Sequence, residues 1–205
     1  MNVAGVILAG GQSRRMGGGD KTLLDLAGRP ILAHVIAKLA PQVSTMALNA
    51  NGDGSRFDGY GLPVVADSID GFAGPLAGVL AGMDWAAKQG YSQVVSVAAD
   101  TPFFPEHLTV ALKMAVEAER KPLAMAVTPD PERGFNRHPT FGLWDVDLRD
   151  NLRQALQDGL RKVVQWTSLQ GCACVSFDGF GFDPFFNVNT PQDLIRANEI
   201  IGGLP

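Results

Sequence analysis

The chain has 205 residues, 46% hydrophobic and 19% charged, which suits one globular domain with a substantial core and excludes a disordered or fibrous class. Its net charge of −4 argues against nucleic acid as a partner, and no stretch approaches the ~20 consecutive apolar residues of a membrane span. Two cysteines, Cys172 and Cys174, are too few for a disulfide framework and fit a reducing cytoplasm; they read as buried thiols on one side of a strand, and His34, His107 and His138 lack zinc-ligand spacing.

In chain order, Val3–Leu8 reads as a buried strand. No basic residue precedes it and it breaks at Gly10-Gly11, so it is not a signal peptide. A glycine-rich loop with Arg14, Arg15 and Lys21 follows. Ile31–Leu39 has helical spacing after Pro30, a favourable first-turn residue. Val43–Leu48 predicts a second strand and 63–66 a short third. Pro75–Lys88 predicts a helix opened by proline. Gln93–Ala99 predicts a further buried strand, ending at Asp100. Pro105–Arg120 predicts a helix, with Glu106 in its first turn and Arg120 in its last, which suits the helix dipole. Leu123–Thr128 is a strand, Pro129–Arg137 a polar loop, Pro139–Trp144 a strand with a different partner, Val146–Gln157 a helix and Ala173–Phe177 a strand. The last helix, Pro191–Ile201, is capped by Thr190 with Asp193 as the reciprocal acid.

Strands alternating with helices predict an α/β fold: a doubly wound, mostly parallel sheet with helices on both faces. Ligands of such sheets bind beyond the carboxyl ends of the strands. The glycine loop, Asn49, Asp67 and Asp100 each follow a strand, so they converge on one crevice. A single domain is expected, with residues 1–128 binding a nucleotide and 129–205 contributing a second, acceptor site.

The loop from Gly10 to Lys21 lacks the Gly-Lys-Ser/Thr of a Walker A and the spacing of a dinucleotide fingerprint. Glycines that let backbone approach a ligand, beside Arg14, Arg15 and Lys21, nevertheless suit a triphosphate. Positive charge is concentrated here: the first 40 residues hold five basic residues against Asp20 and Asp25. Arg15 can grip two phosphate oxygens, and Lys21 acts as a point charge. Asp100-Thr101-Pro102 could be only a turn, but a carboxylate at the ligand edge, with substrate phosphates, is a usual way to hold Mg²⁺. Asp67 reads equally as a solvated acid, and Asn49 as a base or ribose contact or an Asx turn. Gly74 and Gly78 give nucleotide access or close packing; packing is the better reading of Gly82. Arg137 and His138 read as charge and hydrogen bonds for a second, anionic substrate, or as ordinary surface loop. Asn187 and Asn189 would face one side if extended, and capping does not explain them.

Leu8-Ala9-Gly10-Gly11-x-Ser13-Arg14-Arg15-Met16-Gly17-x-x-Asp20-Lys21 resembles the signature of the molybdenum cofactor guanylyltransferases, the MobA type. Asp67-Ser68, Gly74-Pro75-Leu76-Ala77-Gly78, Asp100-Thr101-Pro102, Arg137-His138-Pro139-Thr140 and Phe186-Asn187-Val188-Asn189-Thr190-Pro191 match it in order. The resemblance spans residues 3 to about 195 and implies a Rossmann-like nucleotidyltransferase fold. It implies Mg²⁺-dependent transfer of GMP from GTP to the terminal phosphate of molybdopterin or Mo-molybdopterin, releasing pyrophosphate. Proteins that insert or receive the finished cofactor are further partners it implies. By the same resemblance Leu8, Ala9 and Gly10 hold guanine through backbone groups, and Lys21 contacts the phosphates. Asn49 and Asp67 help bind GTP, and Asp100 binds Mg²⁺. Arg137, His138, Asn187 and Asn189 serve the pterin side. Gly10-Gly11, where the related cytidylyltransferases usually carry Ala-Gly, favours guanine. Gly52 departs from the pattern, since members often carry Arg after Asn-x-Asn.

An acceptor phosphate needs little general-base help. The obstacle is repulsion between two anions, which Mg²⁺, Lys21, Arg15 and the loop N–H groups would neutralise. No covalent intermediate and no catalytic Cys or His is expected. Two other readings stay open: a cytidylyl- or sugar-phosphate nucleotidyltransferase, and a non-catalytic GTP-binding module.

Overall fold

The computed structural model describes residues 2–10, 20–69, 71 and 74–203. Its first strand, β1 (Ala4–Leu8), lies inside a seven-stranded sheet and is buried on both faces, as its unbroken apolar run requires. A small antiparallel hairpin follows, β2 (Asp25–Leu26) and β3 (Arg29–Pro30). Its turn places Ala27 and Gly28 at positive φ (53° and 82°), as a two-residue hairpin of this hand needs. Next come α1 (Ile31–Leu39), β4 (Thr45–Asn49), a 3-10 segment Gly54–Tyr60, β5 (Val64–Val65), α2 (Pro75–Lys88) and β6 (Gln93–Ala98). The last part of the chain supplies α3 (Leu108–Glu119), β7 (Leu123–Asp130), β8 (Gly134–Asp145), α4 (Arg149–Gln157), α5 (Val163–Gln170), β9 (Cys172–Ser176) and α6 (Pro191–Gly203).

The strand order is β5-β4-β1-β6-β8-β7-β9. Every pairing is parallel except those of β8, which runs antiparallel to both β6 and β7. Two cores fill the two faces. On one, Leu32, Val35 and Leu39 of α1 and Leu108 and Leu112 of α3 pack with Ile7, Leu48, Val95 and Phe141. On the other, Leu76, Val79, Leu80 and Met83 of α2 pack with Val6, Ala47, Trp144 and Trp166. The helices thus cover both faces of a mostly parallel sheet, as the sequence predicts. A third, smaller cluster (Leu26, Ile31, Phe103, Val188 and Ala197) seats α6 against the β2–β3 hairpin.

Several local expectations change. The polar stretch 129–137 is not a loop: β7 and β8 extend through it as a hairpin, pairing Thr128 with Asn136 and Asp130 with Gly134. Its polar residues satisfy the ladder while standing in solvent, so polarity alone misread it. The register shifts between Met125 and Ala126, whose partners are Gly142 and His138, leaving Pro139 to Phe141 as extra residues of β8. Proline suits such an interruption because it has no N–H to lose from the ladder. Ser96 Oγ donates to the Thr140 carbonyl there at 2.8 Å.

α3 begins only at Leu108, after a turn in which Leu108 N–H donates to the Pro105 carbonyl at 3.1 Å, so Glu106 lies before the helix. Arg120 is its C-cap, in the left-handed region at φ 52°. The α5 helix and the 3-10 segment Gly54–Tyr60 have no counterpart in the sequence expectation. The α6 cap is as expected. Asp193 Oδ2 accepts from the N–H groups of Asn189 and Thr190 at 3.0 and 2.9 Å, and Asp193 N–H donates to Thr190 Oγ1 at 3.2 Å. Cys172 is half-buried but Cys174 is exposed on edge strand β9, so only one thiol is sheltered. Burial first, then neighbouring Cys174, pushes the Cys172 thiol up to about 12, which keeps it protonated at neutral pH.

Candidate active site

Register aligns the carboxyl edge of the sheet. Leu8 stands opposite Asn49 and Ala98, and Asn49 stands opposite Val65. Four parallel strands therefore end level, and the residues that follow emerge together. Leu8 and Ala9 are tied into this edge by main-chain bonds: Ala99 N–H donates to the Leu8 carbonyl at 3.1 Å, and Ala9 N–H donates to the Asn49 carbonyl at 2.8 Å. Gly10 is exposed at the edge, and a Cβ there would meet only Asn49 Oδ1, at 3.7 Å.

Asn49 is 3% exposed. Its amide N–H groups reach Asp67 Oδ1 at 2.9 Å and the Val65 carbonyl at 3.2 Å. Asn51 closes the clasp, donating to Asp67 Oδ2 at 2.8 Å and accepting from Asp67 N–H at 2.9 Å. Gly78 has a packing reason: a Cβ would sit 2.3 Å from Asn49 Oδ1 and 3.0 Å from Leu8 Cδ2. Its missing side chain lets α2 press against Asn49. Gly82 likewise packs on Val6, where a Cβ would lie 2.6 Å from Cγ1.

Lys21 and Asp100 come together although they are far apart in sequence. Lys21 Nζ donates to Asp100 Oδ2 and to Asn189 Oδ1, each at 2.5 Å, and both ends of the ion pair are largely shielded, at 19% and 14% side-chain exposure. Asp20 fixes Lys21 from behind. Its Oδ1 accepts from Thr22 N–H at 3.0 Å, capping the 3-10 turn Lys21–Leu23, and its Oδ2 accepts from Arg56 Nε at 3.1 Å. Arg56 also donates to the Asn51 carbonyl at 3.3 Å, which links this corner to the Asp67 clasp. Thr101, fully buried, places its hydroxyl 2.9 Å from Asn187 Oδ1 and 3.1 Å from Asp100 Oδ1. Val188 N–H donates to the Asp100 carbonyl at 2.9 Å. Asn187 and Asn189 therefore flank the Lys21–Asp100 pair.

The neighbouring Arg137 and His138 part company. His138 turns inward, stacks on Phe185 with ring centroids 4.3 Å apart and shares a hydrogen bond with Thr128 Oγ1 at 2.9 Å. Burial lowers its pKa and Asp183 only partly opposes this, so His138 brings hydrogen bonding rather than charge at neutral pH. Arg137 is exposed, with its guanidinium 4.6 Å over the Phe135 ring. Between the β7–β8 hairpin and segment 177–184 lies a cavity of about 350 Å³, lined by Thr128, Asn136, Phe177, Asp178, Phe182 and Asp183 among others.

Gly11 and Arg15, with the rest of 11–19, lie outside the described residues. Sequence reasoning gave no role to Asn51, Arg56 or Thr101. Asn51 was legible as the second Asn of an Asn-x-Asn pair, and Thr101 as the neighbour of Asp100. Arg56 carries no sequence signal, because it reaches the site through the unforeseen 3-10 segment. Among the described residues no group of three or more His, Cys, Asp or Glu side chains could hold a metal ion, and no helix is long and apolar enough to cross a membrane.

The family model of the MobA-like NTP transferase domain matches residues 5–171. A molybdenum cofactor guanylyltransferase of Bradyrhizobium is 49% identical over 97% of this chain and 92% of its own, and one of Rhodopseudomonas palustris is 48% identical over 95% and 92%. Among solved structures, the molybdopterin-guanine dinucleotide biosynthesis protein A of Archaeoglobus fulgidus shares the fold, with a TM-score of 0.73 and 24% identity over 98% of this chain and 100% of that one. A putative glucose-1-phosphate thymidylyltransferase of Bacillus anthracis also shares it, with a TM-score of 0.77 and 14% identity over 99% and 96%. The chain belongs to the MobA-like NTP transferases, among the molybdenum cofactor guanylyltransferases.

Proposed function

We propose that the protein transfers GMP from GTP to the terminal phosphate of molybdopterin, with or without bound molybdenum, and releases pyrophosphate. An acceptor phosphate oxygen bonds to the α-phosphorus of GTP as the bond to the bridging oxygen breaks, and that oxygen leaves with the pyrophosphate. The carrying observation is that Lys21 Nζ lies 2.5 Å from both Asp100 Oδ2 and Asn189 Oδ1. One ammonium thereby touches the carboxylate at the end of β6 and the segment read as the acceptor side.

Membership of the family supports the reaction, and the geometry supports the roles. The level strand ends at Gly10, Asn49 and Asp67 receive the nucleoside. The Asn49–Asp67–Asn51 clasp arrives preformed, so little ordering entropy is lost on binding. Lys21 neutralises the phosphates at the point of transfer, with Arg15 assigned the same work. Asn187 and Asn189 hold the acceptor phosphate, and the cavity between the β7–β8 hairpin and segment 177–184 is large enough for a bicyclic ring.

Asp100 is the carboxylate that would hold Mg²⁺. A lone carboxylate with hard oxygen donors fits an ion that takes its remaining partners from substrate phosphates and water. When bound, the ion would offset negative charge on the reacting phosphates. Thiols without a disulfide fit a cytoplasmic setting.

Incubating the purified protein with GTP, Mg²⁺ and molybdopterin, with CTP in a parallel reaction, tests the reading. The expected product has the mass of the guanine dinucleotide, with one pyrophosphate per product. GTP binding without turnover would support a carrier module instead, and preferred use of CTP would overturn the base assignment.

A further inference from the structure

Thr101 is 0% exposed, yet its hydroxyl points at the site. It holds one proton, and two oxygens lie within reach: Asn187 Oδ1 at 2.9 Å and Asp100 Oδ1 at 3.1 Å. Lys21 at 2.5 Å already compensates the Asp100 carboxylate, which weakens the claim of that oxygen on the proton. The Thr101 proton therefore goes to Asn187.

That bond has a consequence for Asn187, which is exposed to the crevice. The orientation of a side-chain amide follows from its partners. With the oxygen drawn inward by Thr101, the Nδ2 amino group must face outward. Asn189 is set in the same way, because Lys21 Nζ donates to its Oδ1 at 2.5 Å. The Asn187 amide thus turns its oxygen to the protein and its two N–H donors to the crevice, while the Asn189 oxygen rests on the Lys21 ammonium. An anionic oxygen is what such a donor pair suits, since an amide presenting its oxygen would repel it.

From this we propose that Thr101 is a positioning residue for the acceptor: its hydroxyl fixes the Asn187 amide with the N–H groups toward the acceptor phosphate. The inference rests on the reading that the acceptor binds at Asn187 and Asn189.

The test measures initial rates against both substrates for the wild type, Thr101→Val, Thr101→Ser, Asn187→Ala and the Thr101→Val/Asn187→Ala double variant. Loss of one such hydrogen bond is expected to raise the acceptor KM about tenfold. The KM for GTP and the affinity for Mn²⁺ with GTP should stay within about twofold of wild type, well short of the tenfold change expected for the acceptor. Thr101→Ser should restore the acceptor KM. In the Asn187→Ala background, Thr101→Val should add nothing, since Thr101 acts through Asn187. Equal increases in both KM values, or additive effects in the double variant, would overturn the proposal. Thr101→Ala removes the same hydroxyl with a smaller side chain and serves if the valine variant does not fold. A wild type that makes no guanine dinucleotide would reject the functional reading itself. An active wild type with an unchanged Thr101→Val acceptor KM would reject only the role of Thr101.

Discussion

The two sides of the crevice, proposed above to take donor and acceptor, are built in different ways. On the donor side, four parallel strands end level, and a backbone register places Gly10, Asn49, Asp67 and Asp100 beside one another. On the acceptor side no strand end does this work. Asn187 and Asn189 lie on a segment returning from far along the chain, stitched to the sheet edge by Thr101, Lys21 and one main-chain bond from Val188. The first construction spreads positioning over many backbone bonds, whereas the second concentrates it in a few side chains. Polar substitutions should therefore act on the side that they belong to, and packing changes should matter more on the donor side.

The largest expected effect falls where the two sides meet. Asp100→Ala is expected to lower kcat at least about a thousandfold, because it removes the carboxylate that would hold Mg²⁺, and Lys21→Ala about a hundredfold, because it removes a positive charge that matters most as charge redistributes. Stopped assays of pyrophosphate release on folded variants check this, and near-normal rates in both would dissolve the shared junction.

A middle-sized effect separates packing from chemistry on the donor side. In Gly78→Ala the new Cβ would press on Asn49 Oδ1, so weaker GTP binding is expected alongside lost stability. In Gly82→Ala the clash is with Val6, and the expected cost is about 1–3 kcal/mol of stability with GTP affinity retained. Denaturation midpoints and calorimetric GTP titrations would show the two variants parting; identical behaviour would deny that Gly78 acts on the clasp.

The smallest effect concerns His138, stacked on Phe185. Its folded pKa lies below the ordinary 6.5, chiefly through burial. As pH falls through 6.5 the unfolded chain takes up the proton first, so stability should decline from there down to the folded pKa and then level off. The melting temperature of the wild type should drop in this window by more than that of His138→Gln. Parallel curves would place the imidazole in a more solvated setting than its stack on Phe185 indicates.

The same contrast explains what could be read from the sequence. Strand ends are legible, because buried apolar runs announce the strands and the polar residue after each run marks the ligand edge. Asn49, Asp67 and Asp100 were found that way. Lys21 was legible by charge, but not its partnership with Asp100, which depends on how the segment after the glycine loop folds back under the Asp20 cap. Hidden altogether was the tertiary stitching. Thr101 and Asn187 are separated by most of the second half of the chain, and Arg56 enters on a 3-10 turn with no periodic signature. The β7–β8 hairpin escaped for another reason. Its outer half is polar and exposed, so hydrophobic alternation, the usual sign of a strand, is missing there. With it went the separation of Arg137 from His138, which as neighbours on one strand point to opposite faces.

Selectivity between the two sides is the direct test. Initial-rate kinetics with GTP and molybdopterin both varied should be compared for Asn49→Ala and Asn187→Ala. A crossed pattern is expected: Asn49→Ala raises the KM for GTP and spares that for the acceptor, and Asn187→Ala does the reverse. If each variant raises both KM values alike, or Asn187→Ala acts on GTP, the division of the crevice into two sides meeting at Lys21 and Asp100 is contradicted.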